Sequence, residues 1–195
     1  APIDRRSSPR QIARSGDQPS FGASGDVFFR LKDRNVNFLY RMKKDGTERE
    51  RVTDKPILIK FGASPDGEWV VAAVPMAADD NASSETVKVP METVAIPVRG
   101  GVARRICGSV CPSIWSPDGK FFYVNLGAQT RAMPVPAGKS LPDWPATGLD
   151  ENDKPDERLG VRVIQHGSVS AGADPSMYVF RKTELHANLF RIPLH

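Results

Sequence analysis

One four-residue segment, Ser-Pro-Asp-Gly, occurs twice in this chain and constrains its fold more than any other feature. The two copies are Ser64, Pro65, Asp66, Gly67 and Ser116, Pro117, Asp118, Gly119. In each copy the proline presets the first corner of a β-turn, the aspartate bonds the local backbone, and the glycine accepts a positive φ. Residues that favour strands stand on both sides of each turn, so each copy predicts a β-hairpin.

Two weaker copies of the same pattern flank this pair. Residues 21–29 keep a Phe-Gly-Ala-Ser entry but lack the proline, and residues 171–180 are more degenerate. Equivalent positions in the four copies, 22, 62, 115 and 172, recur at intervals of 40 to 57 residues. These intervals are typical of one four-stranded β-propeller blade with loop insertions.

A second element recurs in the same phase as the turns. Residues 95–101 and 132–138 each form a strand-like run with a proline, residues 191–194 repeat it, and residues 39–42 are the counterpart in the first repeat. Proline is tolerated near the end or edge of a strand, where outer blade strands lie. The sequence therefore predicts an all-β protein, a propeller of about four blades of four antiparallel strands. The alternative is that both Ser-Pro-Asp-Gly copies are unrelated turns in another β-fold.

The repeat also divides the chain into segments of one propeller. Residues 1–20 are predicted to be the outer strand of a preceding or closing blade, followed by blades at 21–56, 57–110 and 111–165 and an incomplete last blade at 166–195. Either a strand around Ile12 completes the last blade, or the chain is part of a larger ring, which is the favoured interpretation. Two long polar loops, residues 75–92 and 137–160, interrupt the blades, and solvated connections are the favoured interpretation of both.

The sequence contains no pattern that predicts catalysis. It has no zinc-type histidine array, no Gly-x-Ser-x-Gly elbow and no kinase signature, so no catalytic residue, metal site or cofactor is predicted. The three histidines, at 166, 186 and 195, are interpreted as structural or surface residues. The position of Asp66 and Asp118 in the repeated turns explains them without a catalytic role.

Charge and hydropathy exclude two classes of partner. The net charge of +4 comes without a dense basic patch interleaved with aromatic residues, so nucleic-acid binding is not predicted. No apolar run approaches the roughly 20 residues needed to cross a bilayer. The expected partner is a protein, a peptide or a small molecule at the rim loops or the channel mouth, and the sequence does not identify the binding residues.

The only two cysteines, Cys107 and Cys111, leave two alternatives open. In an extended chain their Cα atoms would lie about 13 Å apart, which is beyond the reach of a disulfide. The intervening Gly108-Ser109 permits a turn that would bring them together. A disulfide and a pair of free buried thiols are therefore equally supported, and an oxidising compartment would favour the disulfide.

The repeated turns, most clearly residues 115–120, resemble the repeat of TolB-like propellers, which are relatives of WD-repeat proteins. Residues 96–124 and 188–194 are also similar to the C-terminal propeller of bacterial eukaryotic-like serine/threonine kinases. That resemblance implies a non-catalytic sensor module, periplasmic or at the cell surface, whose parent protein carries the kinase. The alternatives are the substrate-gating propeller of a prolyl-oligopeptidase-like hydrolase and a TolB-type periplasmic protein-interaction protein.

Overall fold

The computed structural model describes residues 11–22, 25–76, 90–155 and 157–180, and these form fourteen strands and one short 3-10 turn. The first sheet contains β1 (Asp17–Phe21), β2 (Asp26–Asp33), β3 (Val36–Lys43) and β4 (Glu50–Arg51). The second contains β5 (Ile59–Ala63), β6 (Trp69–Pro75), β7 (Met91–Pro97) and β8 (Arg104–Cys107). The third contains β9 (Ser113–Trp115), β10 (Phe121–Leu126), β11 (Gln129–Pro134) and β12 (Arg162–Ile164). The fourth contains β13 (Val169–Ala171) and β14 (Tyr178–Phe180), and the 3-10 turn spans Glu157–Leu159.

Within every sheet the strands follow one another in chain order, and each neighbouring pair is antiparallel. The first strand of the second sheet contacts the first strands of the sheets before and after it, which is the arrangement of blades around an axis. This confirms the predicted all-β class and the propeller-like succession of antiparallel sheets.

The two Ser-Pro-Asp-Gly segments occupy equivalent places, between β5 and β6 and between β9 and β10. The Ser64 backbone N–H donates to the Trp69 carbonyl at 2.8 Å, and the Ser116 N–H donates to the Phe121 carbonyl at 2.8 Å. Each serine hydroxyl oxygen also accepts the N–H of the same partner, at 2.9 Å from Trp69 and 3.0 Å from Phe121. The same hydrogen bonds thus close both hairpins.

The aspartate and the glycine also have the same geometry in the two turns. Asp66 Oδ1 accepts the Glu68 N–H at 2.9 Å, and Asp118 Oδ1 accepts the Lys120 N–H at 3.2 Å. Gly67 has φ 75° and the glycine of the second copy has φ 74°, a conformation that L-residues rarely adopt. The same turn geometry thus accounts for the aspartate and the glycine in both copies.

The first sheet begins earlier than the motif predicts. β1 starts at Asp17, whereas the first blade is predicted to start at residue 21, and residues 11–16 form no strand. The Asp17 carboxylate accepts a 2.7 Å hydrogen bond from Arg30 Nε on β2, which fastens the start of β1. Gln18 has φ 51° and lies within a register shift between Asp17 and Ser20 in the pairing with β2, so the strand begins with an irregular turn of the backbone.

Several predictions fall outside the described residues. They concern residues 1–10, the polar loop within 77–89, and residues 181–195, which include the third copy of the proline-containing element. Closure of the last blade, membership of a larger ring and the blade boundaries that depend on those residues therefore remain predictions.

The sheets pack face to face because alternate residues of a strand point to opposite sides. On β6, Val70 and Ala72 join a core shared with Phe28 and Leu39 of the first sheet. Val71, between them, joins a second core shared with the third sheet, whose buried members include Trp115, Phe122 and Val124. The fourth sheet covers the remaining face of the third through contacts around Tyr123 and Ala132.

The segment between β11 and β12 differs from the expectation of a solvated connection. It folds back against β8 of the second sheet, where the Leu149 N–H donates to the Ile106 carbonyl at 2.6 Å. The Trp144 indole N–H donates to the Arg105 carbonyl, also at 2.6 Å, and Leu141 is buried. We call residues 135–161 the wedge loop, because they fill the space between the outer strands of two sheets. The proline-rich and acidic composition conceals the few apolar residues that hold the loop in place.

Candidate functional site

The wedge loop and β11 enclose a cavity of about 300 Å³. Most of its wall is apolar, and the charged side chains of four residues complete it. The lining includes Arg131, Met133, Asp143, Trp144, Leu149, Asp153, Lys154 and Leu159. Concave and largely apolar sites with a few polar groups are the usual form of a ligand-binding site.

Strand alternation places the polar and apolar parts of the cavity together. Arg131 and Met133 lie two residues apart on β11, so both point toward the wedge loop. Thr130 and Ala132 point to the opposite side, where Ala132 packs against the fourth sheet and Thr130 bonds the His166 carbonyl. The direction of the Arg131 side chain therefore follows from the alternation of side chains along β11.

Arg131 is a buried cation, with only 2% of its surface exposed. Its Nη2 donates to the carbonyl oxygens of Asp150 at 2.8 Å, of Glu151 at 3.4 Å, and of Asp153. Nε is also buried, and it has no hydrogen-bond partner among the described residues. A guanidinium carries five N–H donors and no acceptor, so the buried Nε–H is left without a partner inside the protein.

The charges around the cavity nearly cancel. The carboxylate of Asp143 pairs with Lys139 at 3.2 Å, and that of Asp153 accepts the Asp150 N–H at 3.0 Å. In the described part of the chain no acidic side chain forms an ion pair with Arg131. The positive charge of Arg131 is instead stabilised by the backbone carbonyls of the wedge loop.

Trp144 supplies the rigid apolar wall. Its ring stacks on Phe122 with centroids 6.0 Å apart, and the Arg104 guanidinium lies 4.2 Å above its centroid. Leu149 packs against the same core, whereas Leu159 is 48% exposed. The cavity thus has an ordered interior and an apolar residue at its mouth.

Sequence reasoning missed this cavity. The sequence predicts the run that contains Arg131 only as a strand, and Trp144 only as part of a solvated loop. One signal was available, because a charged residue at an inward-facing position of an apolar strand requires a polar partner. The eight residues of the repeated turns do not line the cavity.

The two cysteines lie outside the lining of this cavity. Cys107 and Cys111 are joined by a disulfide across a tight turn, with Cα atoms 6.5 Å apart, inside the usual range for a bridge. Buried Thr93 holds the same turn, since its hydroxyl donates to the Ser109 carbonyl at 2.8 Å and accepts the Cys111 N–H at 2.8 Å. The structure thus contains the disulfide, one of the two alternatives that the sequence leaves open.

We expect a thiol titration of the unfolded, air-oxidised protein to detect no free thiol before reduction and two after it. Two thiols that react before reduction would contradict the bridge.

The Thr93→Val variant should lower the free energy of unfolding by roughly 1–3 kcal/mol, because both hydrogen bonds are lost. Denaturant titration of the variant measures this loss of stability.

Lys60 is a second buried cation, located on β5 between the first two sheets. Burial lowers the pKa of Lys60 from 10.5 to about 8. Its ammonium donates to the Ser20 hydroxyl at 2.8 Å, and its backbone N–H donates to the Gln18 side chain at 2.7 Å. These contacts join β1 to β5 but leave the charge without a described acidic partner.

The described ranges contain no cluster of three or more histidine, cysteine, aspartate or glutamate residues able to hold a metal ion. They also contain no helix long and apolar enough to cross a membrane.

The sequence matches no protein-family model and no curated protein. Among solved structures, the fold is similar to TolB from Acinetobacter baumannii, at 17% identity and a TM-score of 0.46, over 79% of this chain and 33% of that one. It is also similar to a putative TolB from Agrobacterium tumefaciens, at 15% identity and a TM-score of 0.47, over 82% of this chain and 54% of that one. The chain thus spans about a third and about half of these two proteins. The similarity concerns the fold, and the narrower resemblance to kinase-associated propellers remains a prediction from the sequence.

Proposed function

We propose that this chain is a non-catalytic binding module that receives a ligand or part of a protein partner in the cavity beneath the wedge loop. One observation carries the proposal: a concave and mostly apolar cavity of about 300 Å³ is lined by the buried cation Arg131 and by three further charged residues. A few polar groups in an apolar cavity are what orients a ligand in a binding site.

The chemistry of the lining favours binding over catalysis. Asp143 and Asp153 are the acids of the lining that could act as a general base, and both carboxylates already have partners. The groups around the cavity are therefore suited to orient a ligand.

We place the module outside the cytoplasm. The Cys107–Cys111 disulfide supports this location, because disulfides persist in oxidising compartments. The finer proposal is the sensor part of a bacterial receptor-like serine/threonine kinase, which rests on the sequence resemblance. A substrate-gating propeller of a prolyl-oligopeptidase-like hydrolase and a TolB-type interaction protein are the alternatives. A kinase encoded upstream of this segment, a catalytic α/β domain downstream, or neither would distinguish the three.

The binding proposal is tested by screening a fragment library against the ¹⁵N-labelled chain and following the indole N–H signal of Trp144. We expect a subset of fragments to shift that signal, and Leu159→Arg to abolish the shifts, because a charged side chain would occupy the mouth. Leu58→Arg is the matched control, since Leu58 is 44% exposed, close to the 48% of Leu159, and does not line the cavity. If no fragment shifts the Trp144 signal, or if Leu159→Arg leaves the shifts unchanged, the proposal is wrong.

A further inference from the structure

We infer that the Cys107–Cys111 disulfide is a site of reversible exchange with an external dithiol, in which the attacking thiolate bonds to Cys107 and Cys111 leaves as the thiolate. This inference concerns the turn between β8 and β9 and does not depend on ligand binding beneath the wedge loop. Three features of the turn carry it: the pocket beside the bridge, the groups around each sulfur, and the hydrogen bonds that hold the turn without the bridge.

A pocket of about 370 Å³, here called the turn pocket, opens beside the bridge. Its wall includes both cysteines, the exposed tip of the turn at residues 108–110, the end of β10, and residues 149–151 of the wedge loop. A pocket of this size has room for a small thiol. Only 2% of Cys107 and 3% of Cys111 are exposed, so we expect exchange to be slower than at a fully exposed disulfide.

The two sulfurs have different surroundings, and Ser109 supplies the difference. Its hydroxyl oxygen lies 3.3 Å from Cys111 Sγ and 3.8 Å from Cys107 Sγ. A disulfide sulfur carries no hydrogen, so the hydroxyl is the donor, and Cys111 is the nearer acceptor. The Ser109 carbonyl oxygen lies 3.2 Å from Cys107 Sγ. Because a donor favours a negative charge on sulfur and a carbonyl oxygen disfavours it, the thiolate is better accommodated at Cys111.

This asymmetry gives the exchange a direction. A thiolate that attacks one sulfur expels the other with the electron pair of the S–S bond, and the better-stabilised thiolate leaves faster. Attack at Cys107 therefore produces a mixed disulfide there and a thiolate at Cys111, which takes a proton from solvent. The second thiol of the dithiol, after losing its proton, bonds to the sulfur of the first and releases Cys107, which is protonated in turn. The dithiol loses two electrons and two protons, and the chain gains them as two thiols.

The turn is also held by hydrogen bonds that do not use sulfur. The Thr93 hydroxyl donates to the Ser109 carbonyl and accepts the Cys111 N–H, both at 2.8 Å. After reduction, the Cys107 thiol has the Ser109 carbonyl as an acceptor, and the Cys111 sulfur keeps the Ser109 hydroxyl as a donor. A bridge with a sequence separation of only 4 stabilises a fold less than one that closes a long loop, so we expect the reduced chain to stay folded and the bridge to re-form.

The turn contacts the wedge loop, which offers a readout away from the sulfurs. The backbone of Cys107 pairs with that of Leu149, and the Leu149 N–H donates to the Ile106 carbonyl at 2.6 Å. In the ¹⁵N-labelled full chain, the amide signal of Leu149 should therefore shift on reduction. The amide signal of Leu39, in the core between the first two sheets, should stay in place.

The leaving sulfur is identified with 2-mercaptoethanol, a monothiol that forms the mixed disulfide without a second thiol to resolve it. The folded chain is treated with this thiol and quenched with N-ethylmaleimide, and fragment-ion mass spectrometry distinguishes the two cysteines. We expect the thiol adduct on Cys107 and the maleimide on Cys111 in about tenfold excess over the reverse arrangement, because a hydrogen bond to a charged group is worth about that factor. An equal distribution, or a majority of adducts on Cys111, would overturn the assignment.

Two serine variants test the role of the hydroxyl. Ser109→Ala removes the donor and keeps the carbonyl, so reduction by dithiothreitol should slow about three- to tenfold and the preference for Cys107 should fall. Ser113→Ala is the matched control, because the Ser113 hydroxyl donates to the Cys111 carbonyl at 2.8 Å rather than to a sulfur. This control should keep the preference of the wild type. An unchanged preference in Ser109→Ala would overturn the part given to the hydroxyl.

The state of the chain that reacts is tested by following reduction with dithiothreitol at urea concentrations below the unfolding transition. We expect a rate proportional to the dithiothreitol concentration and nearly independent of urea, a reduced chain that keeps its dispersed spectrum, and re-formation of the bridge with oxidised glutathione. A rate that rises with urea as steeply as the equilibrium constant of unfolding would show that only the unfolded chain reacts, and the exchange site would be wrong. None of these results depends on whether fragments shift the Trp144 signal.

Discussion

Replacing Lys60 by methionine is expected to stabilise the protein at pH 7 by about 2 kcal/mol. Burial lowers the pKa of Lys60 from 10.5 to about 8, so keeping the ammonium charged in the folded state at neutral pH costs roughly 3 kcal/mol. Methionine has a similar length and no charge, and the loss of the Ser20 hydrogen bond offsets about 1 kcal/mol of the gain.

The sign of the pH dependence follows from the same shift. Between pH 8 and 10.5 the unfolded chain binds more protons at Lys60 than the folded chain does, so the free energy of unfolding rises with pH across this window. In Lys60→Met this rise should disappear, so the gain over the wild type should shrink between pH 8 and 10.5. Urea titrations at pH 7, 9 and 10.5 measure both effects.

The control for this prediction is Lys55→Met, because Lys55 is exposed and carries a solvated charge. Its free energy of unfolding should stay within about 0.5 kcal/mol of the wild type at each pH, as is usual for surface substitutions. A destabilised Lys60→Met, or an unchanged slope against pH, would show that the ammonium is stabilised by its surroundings.

Replacing Trp144 by alanine is expected to destabilise the protein by about 2–3 kcal/mol. Removal of a fully buried tryptophan typically costs about 3–5 kcal/mol, and Trp144 is only half-buried. The variant loses the stack on Phe122, the cation–π contact with Arg104, and the hydrogen bond to the Arg105 carbonyl. Because this residue joins the wedge loop to β8, the third sheet should also lose part of its contact with the second.

The Trp144→Phe variant separates the contribution of the ring to stability from that of the indole N–H. Trp144→Phe keeps a ring against Phe122 but leaves the Arg105 carbonyl without its donor, so a loss of about 1 kcal/mol is expected. Val102→Ala, at a side chain that is 89% exposed, should have no measurable effect. Guanidinium titration provides the comparison, and a Trp144→Ala midpoint equal to that of the wild type would show that the wedge loop does not connect the sheets.

The repeated hairpins could be read from the sequence because a Ser-Pro-Asp-Gly turn is a local device. Its bonds run from Ser64 to Asp66 and Trp69, all within five residues, so the residue types alone specify the geometry. The run of strand formers after the second turn likewise predicts β10, whereas the structure shows that its side chains enter two cores, Phe122 and Val124 one and Tyr123 the other. Local chemistry of this kind predicted the all-β class and the succession of antiparallel sheets.

The cavity depends on contacts between residues that lie far apart in the chain. Trp144 meets the Arg105 carbonyl across 39 positions, and Arg131 meets the carbonyls of residues 150–153 across about 20. The buried state of Lys60 likewise depends on Ser20 of another sheet, 40 positions away. By itself the sequence determined the turns, the strand periods and hence the class of fold, since these arise from short-range conformational preferences. Only the tertiary structure decided which loop is packed, which cations are buried and where a ligand could enter, because burial depends on how separate sheets come together.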